Sequence, residues 1–205
     1  MMEKGRLEAF SDGVIAIAIT LLVLNIHVPP PGGGDLARRL GEQWPSYAAY
    51  VVSFLTIGVI WVNHHAMIRR LRAVDHSVLV LNLLLLMSIG VLPFTTALIA
   101  EYLRESSGQH LAAAIYAGSL LTMSVLFYAM NHHILYARRN LLPDALSDEE
   151  RDAIERRNRT GLLPYLVATA LAPVSAYVTL AICALVAAFY AWPTQEGSAR
   201  EPRPG

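Results

Sequence analysis

The stretch Arg6-Leu7-Glu8-Ala9-Phe10-Ser11-Asp12-Gly13-Val14-Ile15-Ala16-Ile17-Ala18-Ile19-Thr20-Leu21-Leu22-Val23-Leu24 decides how this chain is read. From Phe10 to Val28 it is long and apolar enough to cross a bilayer as a helix, which takes about 20 residues. Ser11 and Asp12 can serve as an ordinary cap for that helix, the acid favoured by the helix dipole. That reading leaves Arg6-x-x-x-Phe10 unexplained, a spacing that sets Arg6 and Phe10 one turn apart on one face. The second reading is a functional site, because ionisable groups at membrane depth are costly and mark function. The residues alone leave both readings open.

The composition is that of an integral membrane protein. Of 205 residues, 55% are hydrophobic and 16% charged, with a mean hydropathy of +0.43; soluble domains carry about 25% charged residues. The net charge is zero, so nothing draws the chain toward nucleic acid. Cys183 is the single cysteine, which excludes a fold built on intrachain disulfides. Lys4 and Arg6 precede the first apolar run as in a signal peptide. Asp12 interrupts the entry, however, and no small-x-small cleavage site precedes Pro29, so the run is read as a retained helix.

Five more apolar segments follow, at about Ser46–Ile68, Ser77–Ala100, Leu111–Tyr136, Thr160–Ala172 and Val174–Trp192. Pro29 to Gly34 breaks the chain after the first, and Asp35 to Pro45 reads as amphipathic helix or loop. Pro93 is expected to kink the third segment. Ser147-Asp148-Glu149-Glu150 reads as the cap of a short cytosolic helix. The fifth segment carries Pro164 and is short; one long kinked helix through the fifth and sixth is the alternative. The sequence therefore predicts an all-α membrane fold of six transmembrane helices, one domain over residues 1–192 and a disordered tail over 193–205. With both termini cytosolic, thirteen of the sixteen lysines and arginines lie inside, and only Arg38, Arg39 and Arg104 lie outside.

Along the first helix Ile17, Leu21 and Leu24 form one stripe, with Thr20 beside it. Such a stripe ordinarily packs against neighbours or lipid. Trp61, Asn63, His64, His65 and Asn82 fall at the depth of Arg6, Ser11 and Asp12, and each needs a polar partner in hydrocarbon. An inner-leaflet network joining the first three helices is the expectation. Asn-His-His recurs at Asn131, His132 and His133. Adjacent histidines diverge by about 100° on a helix, a poor chelate, so no metal site is expected. No Walker loop, G-x-S-x-G, Rossmann fingerprint or TVGYG filter is present, and no enzyme is expected.

Arg-x-x-x-Phe-Ser-Asp followed by Gly-Val-Ile-Ala-Ile-Ala-Ile-Thr-Leu-Leu-Val-Leu, with Trp61-x-Asn63-His64-His65 and Asn82, resembles the signature of the transmembrane protein 175 family of potassium channels. One Phe-Ser-Asp motif in one six-helix repeat resembles the bacterial type. The resemblance implies a homotetramer in the cell's inner (plasma) membrane, with the first helix lining a central pore that lacks a carbonyl filter. It implies potassium ion as permeant, no cofactor, and lipid and other copies of the chain as partners. Carried over, Ile17 matches the hydrophobic constriction, Leu21 and Leu24 further pore layers, and Thr20 the selectivity position. Arg6, Phe10, Ser11 and Asp12 match the structural motif, with His65 and Asn82 as partners. Two rival classes remain: a proton-coupled secondary cation transporter using Asp12 and His65, and a small membrane scaffold with no transport.

Overall fold

A computed structural model describes residues 4–32, 34–137, 142 and 147–192. The expected tail over 193–205 lies outside them. Seven α-helices occur among the described residues: α1 Lys4–Leu21, α2 Leu36–Glu42, α3 Trp44–Arg69, α4 His76–Tyr102, α5 Gln109–His132, α6 Asp148–Leu171 and α7 Ala176–Ala191. A 3₁₀ turn, Leu22–Asn25, extends α1, and a π-turn, His133–Ala137, extends α5. Four of these spans are long and apolar enough to cross a membrane: Lys4–Asn25, Trp44–Arg69, His76–Tyr102 and Gln109–Ala137.

Local chemistry sets the boundaries. Asp35 caps the short α2 by accepting from the Ala37 N–H, and Asp75 caps α4 by accepting from Val78. Pro45 sits in the first turn of α3, where a missing N–H costs nothing. Pro93 lies within the continuous α4, and the carbonyl of Pro93 accepts from the Asn25 side chain at the end of the 3₁₀ turn.

Two sequence expectations need correction. Ser11 and Asp12 are not a cap: α1 already runs at Lys4, and both residues lie well inside it. The helix beginning at Ser147 is not short. Ser147 and Glu150 form a reciprocal capping box, and the helix then continues through Thr160 and Pro164 to Leu171. Nothing polar at 159–160 stops it, because Thr160 turns its hydroxyl back to the Arg157 carbonyl. The fifth apolar segment is thus the second half of α6. It turns back through residues 172–175 into α7, which Ser175 caps, and Thr179 donates to the Ala168 carbonyl across the hairpin. The fifth and sixth segments are separate helices.

α5 sits centrally, against α4, α6 and α7, while α3 packs on α4 and α7. Ala112, Ala113 and Ala117 let neighbours approach α5 closely. A buried hydroxyl cluster ties the centre together: Ser53 lies 2.8 Å from Thr96 and 2.9 Å from Tyr116, joining α3, α4 and α5. α1 lies at the edge, packed against α3 and α4.

Candidate functional site

α1 presents two opposed faces. Leu7, Ser11, Ile15, Ala18 and Leu22 recur at three- and four-residue intervals and are buried against the bundle. On the other side Phe10 is 52% exposed, Ile17 62%, Leu21 43% and Leu24 68%. Arg6, Gly13 and Thr20 are exposed along with them.

The buried face carries one polar chain. Ser11 and Asn82 are fully buried, and His64 nearly so. Ser11 donates to the Leu7 carbonyl at 2.9 Å and accepts from the Asn82 amide at 3.0 Å. The Asn82 carbonyl oxygen lies 2.7 Å from Nε2 of His64. That oxygen only accepts, so Nε2 of His64 carries a proton and donates. Every member is satisfied in one direction of donation, from α3 through α4 to α1, as buried polar groups in hydrocarbon require.

A second set of contacts runs along the α1–α3 seam. Lys4 donates to the Arg69 carbonyl at 2.7 Å, closing the end of α3. Glu8 stands 3.1 Å from Nδ1 of His65, an ion-pair distance at an angle too poor for a hydrogen bond. Asp12 accepts from the Trp61 indole at 2.9 Å. Residues four apart ascending α1 meet residues four apart descending α3, the register of two antiparallel helices.

Several expected site residues therefore divide. Ser11, Asp12, His65 and Asn82 lie in the polar seam. Asn82 meets Ser11 of the motif and His64, while His65 meets Glu8, because the two histidine rings diverge around α3 and only His64 faces α4. Arg6 and Phe10 are not part of the seam in the single chain: they lie on the exposed stripe with Ile17, Thr20, Leu21 and Leu24. The Thr20 hydroxyl donates to the Ile17 carbonyl at 2.8 Å, one residue nearer than the back-bond to Ala16 that a helix also permits. Lys4 and Glu8 escaped the reading of site residues. Their signal was present, since Lys4, Glu8 and Asp12 repeat the four-residue spacing of Trp61, His65 and Arg69 in reverse order.

The second Asn-His-His performs a related task elsewhere. His133, in the π-turn, lies 3.1 Å from Asp75, the cap of α4. His132 and Tyr128 both meet Glu155, and Tyr136 donates to Asp152 at 2.8 Å, so α5 is tied to α6. Among the described residues no cluster of three or more metal-ligating side chains occurs.

The fold and the seam define a multi-pass, all-helical membrane protein whose edge helix is pinned by polar contacts on one side and bare on the other. Residues 6–93, which hold both the seam and the stripe, match the family described as the endosomal/lysosomal potassium channel TMEM175. A Streptomyces collinus protein named as a potassium channel is 47% identical over 206 residues, covering 97% of this chain and 99% of its own. One from Chamaesiphon minutus, also named as a potassium channel, is 43% identical, covering 92% and 94%. The crystal structure of a lysosomal potassium-selective channel TMEM175 homologue from Chamaesiphon minutus superposes with a TM-score of 0.82 at 41% identity, over 92% of this chain and 96% of that one. This chain belongs to the TMEM175 family, a family of ion channels and not of enzymes.

Proposed function

We propose that this chain is one subunit of a potassium-selective channel in a cell's inner membrane, with the exposed stripe of α1 lining a pore between four copies. The observation that carries the reading is the division of α1. Lys4, Glu8, Ser11 and Asp12 are turned toward the chain's own bundle, while Phe10, Ile17, Leu21 and Leu24 are left bare on the opposite face. Four copies around an axis bring four equivalent bare faces together. In this arrangement the α6–α7 hairpin supplies the fifth and sixth crossings of a single domain over residues 1–192, with both termini inside.

Rings of Ile17 and Leu24 make narrow apolar passages that a hydrated cation enters at a dehydration cost, and that open or close by wetting. Thr20 offers hydroxyl oxygens in place of lost water and favours potassium, the ion more cheaply dehydrated. No carbonyl filter and no cofactor are needed. The polar seam holds α1 in register, so it acts on the pore through position. The transporter reading would need Asp12 and His65 to pass a proton. Each instead faces its own partner, Trp61 and Glu8.

The test is reversal potential under mixed potassium and sodium gradients with protein in liposomes. Ile17→Asn is expected to raise conduction and weaken discrimination between the two ions; Thr20→Ala weakens discrimination with a smaller change in conduction. Wild-type current and selectivity in both variants would show that α1 does not line the permeation path.

A further inference from the structure

A cavity of about 80 Å³ lies between α3, α5, α6 and α7, away from α1 and its seam. One water needs about 10–15 Å³ by this measure, so there is room for a group several waters in size. Its chemistry changes along its length. Asn63, Arg157 and Asn158 line the end nearer the start of α6, and Ile60, Phe127 and Val186 line the deeper part. The amide nitrogen of Asn158 is buried and has no hydrogen-bond partner among the described residues. An unpaired buried donor is costly and marks a place where an acceptor is missing.

A wider hollow of about 470 Å³ shares Arg157 and Tyr190 with this cavity and adds Arg156, Thr160, Phe189 and Trp192. Phe189 and Trp192 are 70% and 77% exposed, as aromatic residues are at the edge of a bilayer. Three acids of α6 face elsewhere: Glu155 and Asp152 meet α5, and Glu150 closes the capping box. Arg157 borders both the cavity and the hollow, and Arg156 borders the hollow.

We propose that the cavity between α3, α5, α6 and α7 binds the headgroup of an anionic phospholipid from the cytosolic leaflet. The phosphate accepts from Asn158 and draws on the charge of Arg156 and Arg157, and the acyl chains leave over Phe189 and Trp192. Basic pockets between membrane helices on the cytosolic side suit such headgroups. A free phosphate satisfies the amide but has no use for the exposed aromatic residues. The leaflet rests on the orientation proposed above; the site itself does not rest on conduction.

Native mass spectrometry of the full-length protein, delipidated stepwise from a mixture of phosphatidylglycerol and phosphatidylcholine, tests this. The wild type is expected to retain phosphatidylglycerol preferentially. Arg156→Gln and Arg157→Gln each lower that preference by about five-fold, Asn158→Leu lowers it without altering charge, and Arg70→Gln on α3 leaves it intact. Equal retention of the two lipids would overturn the proposal, as would loss of preference in Arg70→Gln. If inorganic phosphate raises the melting temperature as far as phosphatidylglycerol does, the site takes a free anion and the lipid assignment is refuted. Potassium flux measured on the same preparations separates the two readings. Conduction without lipid preference refutes the lipid site alone, and preference without conduction refutes the channel alone.

Discussion

His64, Asn82 and Ser11 show why polar residues persist in an apolar bundle. Each is buried, and each bond leaves the next group with its remaining donor or acceptor still to be matched. Removing one partner strands the other in hydrocarbon, at about 1–3 kcal/mol for a buried unpaired group. His64→Leu and Asn82→Leu are each expected to lower stability by about that much, while the double variant costs clearly less than the two combined. Chemical denaturation in detergent measures the cycle, and strict additivity would mean that the two side chains are not bonded. Asp12 belongs to the same scale. Its acceptor role is met by one neutral indole, so Asp12→Asn is expected to retain most of the stability that Asp12→Ala loses.

Individual helices are shaped by where their polar groups find partners. α1 and α3 are locked in register by contacts repeated every four residues, and the opposite face of α1 is thereby left bare. α6 owes its length to a strong start and no stop. The Ser147 backbone N–H and hydroxyl hold the Glu150 carboxyl below its usual value of 4.5. A depressed folded value means that the box contributes stability above pH 4.5, and that the contribution disappears as pH falls through the lower folded value. The protection of first-turn amides of α6, taken relative to the intrinsic exchange rate at each pH, is expected to stay high at neutral pH and to fall only below that range. Glu150→Gln removes the pH dependence but retains part of the protection. Unchanged protection at low pH would show that the box does not hold the turn.

At the scale of the molecule, the proposed orientation rests on the distribution of charge and the proposed assembly on the bare stripe. In a Cys183→Ser background, Ser107→Cys is expected to react with an impermeant thiol reagent from outside, and Ser147→Cys is not. Reaction at position 147 from outside would overturn the orientation. Cys183 is buried in α7, so a serine there is a small change. The bundle is closed around α5 and open at α1, which makes α1 the element that a further copy of the chain would cover.

The sequence alone determined the class of protein and where its apolar spans lie. A membrane helix makes all its backbone bonds within itself, so length and hydropathy suffice to find it. The capping signal at Ser147 was equally local, as was the family likeness around Phe10-Ser11-Asp12. Tertiary structure decided which side of α1 each of those residues occupies. Ser11 and Arg6 are close in sequence yet lie on opposite faces, and only the packing of α3 and α4 says which face is buried. The choice of His64 over His65 for Asn82 has the same cause, a rotation of about 100° per residue that matters only once a neighbour is in place. Tertiary structure also carried α6 through its change from charged to apolar, because α5 binds its acids while α7 packs against its apolar half.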